Sequence, residues 1–328
     1  MHVQRGRLTS RRWASHAAHP VPADLAILYE HPAWFEPLFA ALDGRGVAYA
    51  KVQLTDHSFD PGEFAPPGNV VLSRVAMSGF LREPEHGIFY AAALLDHWER
   101  GGAKVLNGPR AIAIDSSKAR QLSLIAALGH DIPRTRTVHR ARDLLAAAAA
   151  DMTFPLLVKA NIGGSGAGIT RYAALAELEQ SVADGTVPDS VDKVLLLQDY
   201  VPPRGGTILR IETLGGRFLY ALEVESRPDS FDLCPADACL AQPGRAALAM
   251  RAVTPEPHII AAAEQIAHAA ELDVGGVELV IDDRDGTPRF YDINALSNFV
   301  ARPLEVLGWD PHQRLVDHLE AVIRDKRQ

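Results

Sequence analysis

Cysteine is almost absent from this sequence of 328 residues. Cys234 and Cys239 are its two cysteines, and they lie five positions apart in one predicted loop. No CxxC or HExxH pattern occurs, and none of the 13 histidines is paired at a zinc-ligand spacing. We therefore expect no structural zinc site, and we expect a reducing cytoplasm as the location.

Long apolar runs and basic stripes are also missing. No segment approaches the roughly 18 to 20 apolar residues that a membrane-spanning helix needs, so we expect no membrane partner. The net charge is -8, and no basic stripe occurs beyond the first twenty residues, which argues against nucleic acid as a partner. Residues 1–23 contain four arginines but lack the apolar stretch of a secretory signal. We predict that they form a disordered tail, or that the start codon has been set too early and they are not part of the natural protein.

What the sequence does contain is typical of a globular protein with a sizeable core. It is 47% apolar and 23% charged, and its length suggests two or three structural units with small-molecule or peptide ligands. Across residues 24–110, short apolar runs alternate with helical patterns, which predicts parallel strands joined by crossover helices. Ligands of such sheets bind beyond the carboxyl ends of the strands, where Arg74 and Ser78 fall.

Two further units are predicted after this sheet. Residues 111–192 should begin with a helix capped by Asp115 or Ser116 and contain the strands TRTV and PLLVKAN. Residues 193–328 contain five strands joined by turn signals, the first being KVLLLQDYV, and should form an antiparallel sheet. The fold class is therefore α/β in the first unit and α+β in the rest.

Lys159 follows an apolar run and precedes a glycine-rich loop. Its strand is predicted to be buried on both faces, where an unpaired ammonium is costly, so the lysine needs an anion. The loop has glycines at 163, 164, 166 and 168, whose backbone N–H groups can approach a phosphate closely. Two interpretations stay open at this point: a phosphate clamp, and a flexible hairpin whose lysine extends to solvent.

Other glycine motifs do not match this loop. A GxGxxG pattern starting at Gly164 fails at Ile169, and the GK[ST] of a P-loop is absent. A GxSxG elbow around Ser165 fails because Ala167 stands where the last glycine belongs. The sequence therefore disfavours hydride transfer, P-loop hydrolysis and serine hydrolysis.

Lys118 is predicted to lie in the first turn of its helix. The helix dipole disfavours a cation there by a few tenths to about 1 kcal/mol. Either a nearby anionic group favours this position, or Lys118 is an exposed surface lysine.

The segment GGVELVIDDRDGTPRFYDINALSNFV predicts a hairpin that carries oxygen ligands. Glu278 interrupts an apolar strand, and Asp292 and Asn294 share one face of the return strand because they are two residues apart. A three- or five-residue connection places Glu278 opposite Asp292, whereas a four-residue connection places them on opposite faces. Opposed carboxylates need a cation between them, and oxygen-only ligands suit Mg²⁺. The alternative is a surface hairpin whose acids face solvent.

Two other patterns remain ambiguous from the residues alone. The end of VLLLQDYVPP would hold a purine through backbone groups, but an ordinary strand exit has the same pattern. Arg210, in TILRIETLGG, either reaches across a site or pairs with Glu212 or Glu223.

Taken together and in this order, these residues resemble the ATP-grasp carboxylate–amine ligases, specifically the RimK-like branch with a glutathione synthetase-type ATP-binding fold. The resemblance covers nearly the whole chain after Asp24. The segments that carry it are AIAIDSSKARQLSLIAALGHDIPRTRTV, PLLVKANIGGSGAGI, LLLQDYV and GVELVID with FYDINALSN.

The resemblance implies an ATP-grasp fold and a set of site residues. The fold would comprise a Rossmann-like pre-ATP-grasp unit (24–110), a central lid unit (111–192) and a C-terminal antiparallel-sheet unit (193–328). The ATP phosphates would contact Lys118, Lys159 and the mobile loop with Gly164, Ser165 and Gly166. Adenine would contact Gln198, Asp199, Tyr200 and Val201, the metal ligands would be Glu278, Asp292 and Asn294, and Arg210 would approach the transferred phosphate.

The implied activity is ATP-dependent ligation of a carboxylate to an amine through an acyl phosphate, with release of ADP and phosphate. The cofactors would be ATP and one or two Mg²⁺ ions, with Mn²⁺ as an acceptable substitute. The substrates would be small molecules or peptides, and the family forms homodimers and homotetramers. Arg74 and Arg302 are candidate clamps for a substrate carboxylate, and the segment SFDLCPADACLA is a candidate wall of the substrate pocket. A small-molecule kinase and a non-catalytic nucleotide-binding protein are the alternative functions.

Overall fold

The computed structural model describes residues 23–81, 87–164, 166–226 and 249–328. Residues 1–22 of the predicted N-terminal tail, Ser165 and the SFDLCPADACLA segment with its two cysteines lie outside these residues, so the expectations for them stay predictions. Ala23, predicted as the last residue of the tail, is instead the first residue of a strand.

The N-terminal unit is a four-stranded parallel sheet in the order β2-β1-β3-β4, which confirms the predicted open α/β sheet. Alternate residues of β1 enter different apolar clusters, Leu25 and Ile27 with α1, and Ala26 and Leu28 with α2. A strand buried on both faces in this way reads as a continuous apolar run. The elements are β1 (Ala23–Tyr29), α1 (Glu36–Gly44), β2 (Ala50–Gln53), β3 (Gly68–Arg74), α2 (Gly87–Arg100) and β4 (Lys104–Leu106).

The central unit is a four-stranded antiparallel sheet in the order β5-β8-β6-β7. Its elements are α3 (Pro109–Asp115), α4 (Lys118–Ala127), β5 (Thr135–Val138), α5 (Leu144–Asp151), β6 (Leu156–Ala160), β7 (Ile169–Tyr172), α6 (Leu175–Asp184) and β8 (Leu195–Asp199). The prediction that KVLLLQDYV belongs to the C-terminal sheet is wrong, because β8 pairs with β5 and β6. An apolar run identifies a buried strand but does not specify its partner.

The N-cap of α4 also differs from the prediction. Ser117 is the cap, and its hydroxyl accepts a hydrogen bond from the backbone N–H of Arg120. Asp115 instead ends the preceding helix α3, so it is not available to cap α4. Asp115, Ser116 and Ser117 are all residue types that cap helices, and the position of the break between α3 and α4 makes Ser117 the cap.

The C-terminal unit is a five-stranded antiparallel sheet in the order β11-β10-β9-β12-β13. Helix α7 packs on β9, β10 and β12, and α9 packs on α1 and β3 of the N-terminal unit. The elements are β9 (Thr207–Leu214), β10 (Arg217–Glu225), β11 (Met250–Val253), α7 (Pro257–Ala269), β12 (Val274–Ile281), β13 (Pro288–Asn294), α8 (Pro303–Val306) and α9 (Pro311–Arg327).

Asn107 joins the N-terminal unit to the C-terminal sheet. It is almost fully buried, at 1% exposure, and has a φ of 50°. Its side-chain N–H₂ donates to the carbonyl of Val274 at 2.7 Å, and its side-chain oxygen accepts from the N–H of Asp273 at 2.8 Å. These bonds hold the end of β4 against the start of β12, so the two sheets meet at a defined position.

No helix within the described parts of the chain is both long and apolar enough to cross a membrane.

Candidate active site

One cleft brings the predicted site residues together. The central sheet, the C-terminal sheet and the end of the N-terminal sheet all contribute to its walls. The predicted residues that line it are Lys118, Lys159, Gly164, Gly166, Gln198, Asp199, Tyr200, Val201, Arg210, Glu278, Asp292 and Asn294. Residues that are far apart in sequence therefore line one common space.

Glu278 and Asp292 are paired across β12 and β13, although the connection has none of the lengths considered above. Ile281 pairs with Pro288, which leaves the six residues 282–287 between the strands. An even connection would place Asp292 on the opposite face from Glu278. The register shifts by one residue between Glu278 and Leu279, so Tyr291 becomes the extra residue of a bulge. The bulge returns Asp292 to the face of Glu278 and also turns Tyr291 into the cleft.

Lys118 forms a short ion pair with one of the predicted metal ligands. Its Nζ lies 2.5 Å from Oδ1 of Asp292, and the side chains are 12% and 17% exposed. Burial acts to lower the pKa of Lys118, but the carboxylates of Asp292, Glu278 and Asp115 outweigh it and leave the pKa above its usual value. The alternative of an exposed surface lysine is therefore wrong, and a carboxylate favours the cation at this helix start.

Lys159 is a buried cation in β6. It is 7% exposed, and its Nζ lies 5.3 Å from the centre of the Tyr291 ring. Burial, together with the positive charge of Lys118, lowers the pKa of Lys159 to about 8, and the carboxylates of Asp292 and Glu278 only partly oppose this shift. Because Lys159 is buried, the alternative of a lysine that extends to solvent is wrong. Among the described residues no carboxylate lies within ion-pair distance of its Nζ, so a bound anion would stabilise its charged form.

Arg210 lies between two buried glutamates. Its Nε donates to Glu212 at 2.6 Å, and its Nη1 donates to Oε1 of Glu278 at 2.7 Å. Burial acts to lower the pKa of Arg210, but both carboxylates raise it above its usual value. Glu223, the other predicted partner, pairs with Arg251 instead. Arg210 thus lines the cleft, pairs with Glu212 on its own strand and pairs with Glu278 on the neighbouring strand β12.

The glycine loop after β6 lies against the end of the N-terminal sheet. A Cβ at Gly164 would lie 2.9 Å from the Cβ of Ser78, so this approach requires glycine. Gly168 has a φ of 72°, and a Cβ there would lie 2.7 Å from the Cβ of Ala160. The loop is therefore shaped by close backbone packing on two sides.

The residues at the end of β8 are held by the neighbouring strand and loops. The side-chain amide of Gln198 donates to Oγ1 of Thr135 at 3.0 Å, and the N–H of Tyr200 donates to the carbonyl of Pro155 at 3.1 Å. The guanidinium of Arg171 lies 4.5 Å from the centre of the Tyr200 ring. This end of the cleft thus has a fixed backbone with an aromatic side chain.

Sequence reasoning missed two polar residues in and around the cleft. Asp115 was considered only as a helix cap, yet it lines the cleft, and its Oδ2 accepts from the N–H of Ala295 at 3.1 Å. Burial, with the nearby charge of Asp292, raises the pKa of Asp115 to about 7. Gln121 of α4 hydrogen-bonds both backbone groups of Ile293 at 3.0 and 3.1 Å and thereby fixes α4 on β13. No sequence pattern marked either residue, because their partners lie more than 170 positions away.

The two arginines predicted to bind a substrate carboxylate differ in position. Arg74 is 3% exposed and donates to the carbonyl of Ser297, while its Nε and Nη1 have no hydrogen-bond partner among the described residues. Arg302 is 63% exposed, pairs with Glu305 at 2.9 Å and is not among the described residues that line the cleft. The structure brings neither guanidinium to the cleft surface.

Comparison with known proteins gives relatives in sequence, although no family model matches the chain. The chain is 30% identical to the ribosomal protein bS6–L-glutamate ligase of Shigella boydii over 209 residues, and 29% identical to that of Escherichia coli O139:H28 over the same number. The matched segment covers 63% of this chain and 64% of each relative, so the chain spans slightly less than two thirds of their length.

Solved structures match nearly the whole chain. The D-alanine–D-alanine ligase of Bacillus anthracis, complexed with ATP, has a TM-score of 0.67 at 15% identity, covering 94% of this chain and 99% of that one. The ATP-grasp ligase PsnB, complexed with a minimal precursor, has a TM-score of 0.66 at 18% identity, covering 91% and 99%. A RimK domain ATP-grasp protein of Sphaerobacter thermophilus has a TM-score of 0.64 at 18% identity, covering 90% and 99%. These likenesses concern the fold.

Proposed function

We propose that this chain, which has the fold of ATP-grasp ligases and sequence similarity to RimK-type ligases, is an ATP-dependent carboxylate–amine ligase of the ATP-grasp family. It would activate a carboxylate as an acyl phosphate and couple it to an amine, with release of ADP and phosphate. The observation that carries the proposal is the convergence of two lysines, one arginine and three oxygen ligands on one cleft. The relatives named above support the reaction class, since their names describe ligases.

The nucleotide would bind along the cleft from β8 to the glycine loop. Lys118 and Lys159 are the candidate partners of the phosphates, together with backbone N–H groups near Gly164 and Gly166, and the polyphosphate would supply the anion that Lys159 lacks. Gln198, Asp199, Tyr200 and Val201 would surround the adenine. Solved ATP-grasp ligases that contain ADP with Mg, or ATP, support a nucleotide in such a cleft.

The donor set of β12 and β13 fits Mg²⁺. Glu278, Asp292 and Asn294 offer only oxygen ligands from the protein, and the two carboxylates are cross-strand neighbours. A hydrogen bond of 3.3 Å from the side-chain N–H₂ of Asn294 to Oε1 of Glu278 keeps these two side chains adjacent. We assign one or two Mg²⁺ ions to these ligands, with Mn²⁺ as a substitute. When bound, the metal would neutralise the charge of the phosphate oxygens.

Charge placement would carry both chemical steps. In the first step, a carboxylate oxygen attacks the γ-phosphorus, and the bond to the β–γ bridging oxygen breaks with its electrons on ADP. In the second step, the neutral amine nitrogen attacks the acyl carbon, the C–O bond to phosphate breaks with its electrons on phosphate, and the nitrogen releases one proton. Arg210 is the candidate group for stabilising the transferred phosphoryl oxygens and then the oxyanion, because its guanidinium is held rigidly by Glu212.

Substrate identity, assembly and location are the least constrained parts of the proposal. Peptide or amino-acid substrates are supported by the names of the relatives, a bS6–L-glutamate ligase and a ligase complexed with a precursor peptide. Arg74 stays a prediction for the substrate carboxylate: two of its buried nitrogens lack a hydrogen-bond partner among the described residues, but its guanidinium does not line the cleft and would have to become accessible to the substrate. Arg302 has no support from the geometry. We keep a homodimer or homotetramer in the cytoplasm as a prediction.

Hydroxylamine trapping tests the proposal directly. The full chain would be incubated with MgATP, hydroxylamine and single carboxylates from a panel of amino acids and dipeptides. We expect a hydroxamate and ADP in equal amounts with at least one carboxylate. A small-molecule kinase would release ADP with a stable phosphoester and no hydroxamate, and a binding protein would bind ATP without releasing ADP. Either result would overturn the ligase assignment.

A further inference from the structure

Tyr291 is the extra residue of the bulge in β13, and its side chain lines the cleft beside the candidate metal ligands. Resting on the proposed ligase function, we propose that the Tyr291 ring is a positioning group for Lys159, which it holds at a fixed place relative to Asp292 so that the ammonium can contact the phosphates. No sequence pattern pointed to a role for this tyrosine.

The bulge explains how Tyr291 and its neighbour Asp292 can line the same space. In a regular strand, adjacent side chains point to opposite faces, so only one of the two could face the cleft. The extra residue breaks this alternation, and both side chains line the cleft. Bulges beside active sites often re-aim a side chain in this way. The bulge therefore has two effects, the return of Asp292 to the face of Glu278 and the placement of an aromatic ring next to it.

The ring of Tyr291 is in contact with the buried ammonium of Lys159. Nζ lies over the face of the ring, 5.3 Å from its centre, which is within the roughly 6 Å range in which an aromatic face attracts a cation. Such contacts are stronger where water is excluded, and Lys159 is 7% exposed. The ring therefore partly replaces the counter-charge that this ammonium lacks among the described residues.

The contact joins two sheets across the cleft. Lys159 belongs to β6 of the central sheet, and Tyr291 belongs to β13 of the C-terminal sheet, which also carries Asp292 and Asn294. A lysine on one wall is thereby held against the wall that carries the candidate metal ligands. The ring thus fixes the position of the Lys159 ammonium relative to those ligands.

Repulsion between the two lysines makes this positioning necessary. After burial, the positive charge of Lys118 is the main cause of the lowered pKa of Lys159. Lys118 is held by Asp292, whereas Lys159 is a flexible side chain that would otherwise turn away from the second cation. The Tyr291 ring opposes this movement, so both ammonium groups stay where one polyphosphate can contact them.

The hydroxyl of Tyr291 has a different neighbour from the ring. Burial, the charges of Glu278 and Asp292, and a hydrogen bond to Glu278 raise the pKa of Tyr291 well above its usual value, so the hydroxyl stays protonated. Tyr291 thus has a ring contact with Lys159 and a hydroxyl contact with Glu278. An experiment must separate these two contacts.

A double-mutant cycle between Tyr291 and Lys159 tests the inference. Titration calorimetry on the full chain would measure the dissociation constant of MgADP in Tyr291→Leu, which lacks the ring, in Lys159→Met, which lacks the charge, and in the double variant. We expect Tyr291→Leu to raise this constant about tenfold, or about 1.4 kcal/mol, in the wild-type background, and less than about twofold in the Lys159→Met background. An effect of equal size in both backgrounds would mean that the ring acts through adenine or the metal site, and would overturn the inference.

Tyr291→Phe separates the ring from the hydroxyl. It keeps the contact with Lys159 and removes the hydroxyl, so we expect its MgADP dissociation constant to stay within about twofold of the wild-type value. A tenfold loss in this variant would assign the effect to the hydroxyl and contradict the inference. If Tyr291→Leu does not fold, Tyr291→Met, which also lacks a ring, enters the same cycle.

Phe290→Leu is the matched control, because it removes the neighbouring aromatic ring of β13. Phe290 packs in the apolar cluster under α7 and is not among the described residues that line the cleft. We expect a lower melting temperature and an unchanged MgADP dissociation constant. A control variant that loses MgADP affinity as strongly as Tyr291→Leu would reduce the effect at Tyr291 to general destabilisation of the strand.

The wild type separates this inference from the proposed function. If it binds MgADP and forms a hydroxamate but the cycle shows no coupling, the role of Tyr291 is wrong while the ligase proposal stands. If it binds no MgADP and releases no ADP with any carboxylate, the ligase proposal fails, and the role of Tyr291 fails with it.

Discussion

Lys118 and Lys159 show how two similar residues acquire different electrostatic environments. Both line the same cleft, but Lys118 has the Asp292 carboxylate at 2.5 Å, whereas Lys159 has no carboxylate within ion-pair distance among the described residues and lies 5.3 Å from the centre of the Tyr291 ring. Their pKa values accordingly shift in opposite directions, up for Lys118 because of the carboxylates and down for Lys159 because of burial. Lys159 is therefore the group whose charged form gains most from a polyphosphate.

Removing Lys159 should affect activity and stability in opposite ways. We expect Lys159→Ala to lower ADP release about a hundredfold or more, the effect of losing one preorganised group for the transferred charge. Its melting temperature should be unchanged or higher, because a buried cation without an ion-pair partner is lost. Lys193→Ala, which removes an exposed lysine paired with Asp189, is the control and should leave both quantities near wild type. Full activity of Lys159→Ala would contradict the phosphate role.

The lowered pKa of Lys159 predicts proton uptake on nucleotide binding. In the free protein Lys159 titrates at about 8, so at pH 9 most molecules carry it neutral. A bound polyphosphate favours the ammonium and raises this pKa, so binding at pH 9 should take up close to one proton, and binding at pH 7 much less. Calorimetry of MgADP binding in buffers of different ionisation enthalpy measures the uptake. Equal uptake at both pH values, or persistence in Lys159→Ala, would exclude Lys159 as its source.

At the scale of elements, Asn161 connects the two lysine-bearing segments. It stands two residues after Lys159, and its carbonyl accepts from the N–H of Lys118 at 3.1 Å. Its side-chain oxygen accepts from Ser117 Oγ at 3.1 Å and from the N–H of Ala119 at 2.9 Å, while its N–H₂ donates to Asp192 at 2.6 Å. The start of α4 and the end of β6 are thus tied together by one buried side chain.

Asn161→Ala should lower both stability and nucleotide affinity. Loss of a helix-start acceptor costs about 0.5–2 kcal/mol, which should appear as a lower melting temperature. Because α4 would no longer be fixed relative to β6, we expect the dissociation constant of MgADP to rise by about tenfold. Asn69→Ala, at an exposed position of β3, is the matched control. A destabilised variant that still binds MgADP with wild-type affinity would limit Asn161 to a structural role.

The hairpin of β12 and β13 also shows where sequence reasoning stops. Apolar alternation and the two-residue spacing of Asp292 and Asn294 predicted the strands and the shared face correctly. The pairing of Glu278 with Asp292 depends on a bulge at Tyr291, and no local sequence pattern predicted this bulge. The length of the connection alone would have placed Asp292 on the wrong face of the hairpin. The extra residue of the bulge reverses that placement, and it can be recognised only from the strand register of the folded protein.

At the scale of the whole molecule, the sequence predicted the existence of three sheets correctly, but it did not assign every strand to the right sheet. Alternating strands and helices up to β4 gave the parallel sheet correctly, since both periodicities are local. The strand β8 was assigned to the wrong sheet because its partners, β5 and β6, lie earlier in the sequence, and the apolar residues of β8 do not specify which strands it pairs with. Asn107 and Gln121, which join units, were invisible for the same reason.

The two ion pairs of the cleft, Lys118 with Asp292 and Arg210 with Glu278, affect how the metal and the nucleotide bind. In these pairs, the two candidate carboxylate ligands of the metal neutralise two groups assigned to phosphate. Either ligand alone must separate Lys118 from Asp292 and leave one of them without its counter-charge, and must also weaken the pairing of Arg210 with Glu278, although Arg210 keeps Glu212. The metal and the nucleotide together would supply new partners for all four groups. Heterotropic cooperativity follows: Mg²⁺ should tighten ADP binding by the same factor as ADP tightens Mg²⁺ binding, a thermodynamic cycle that titrations in both orders can close.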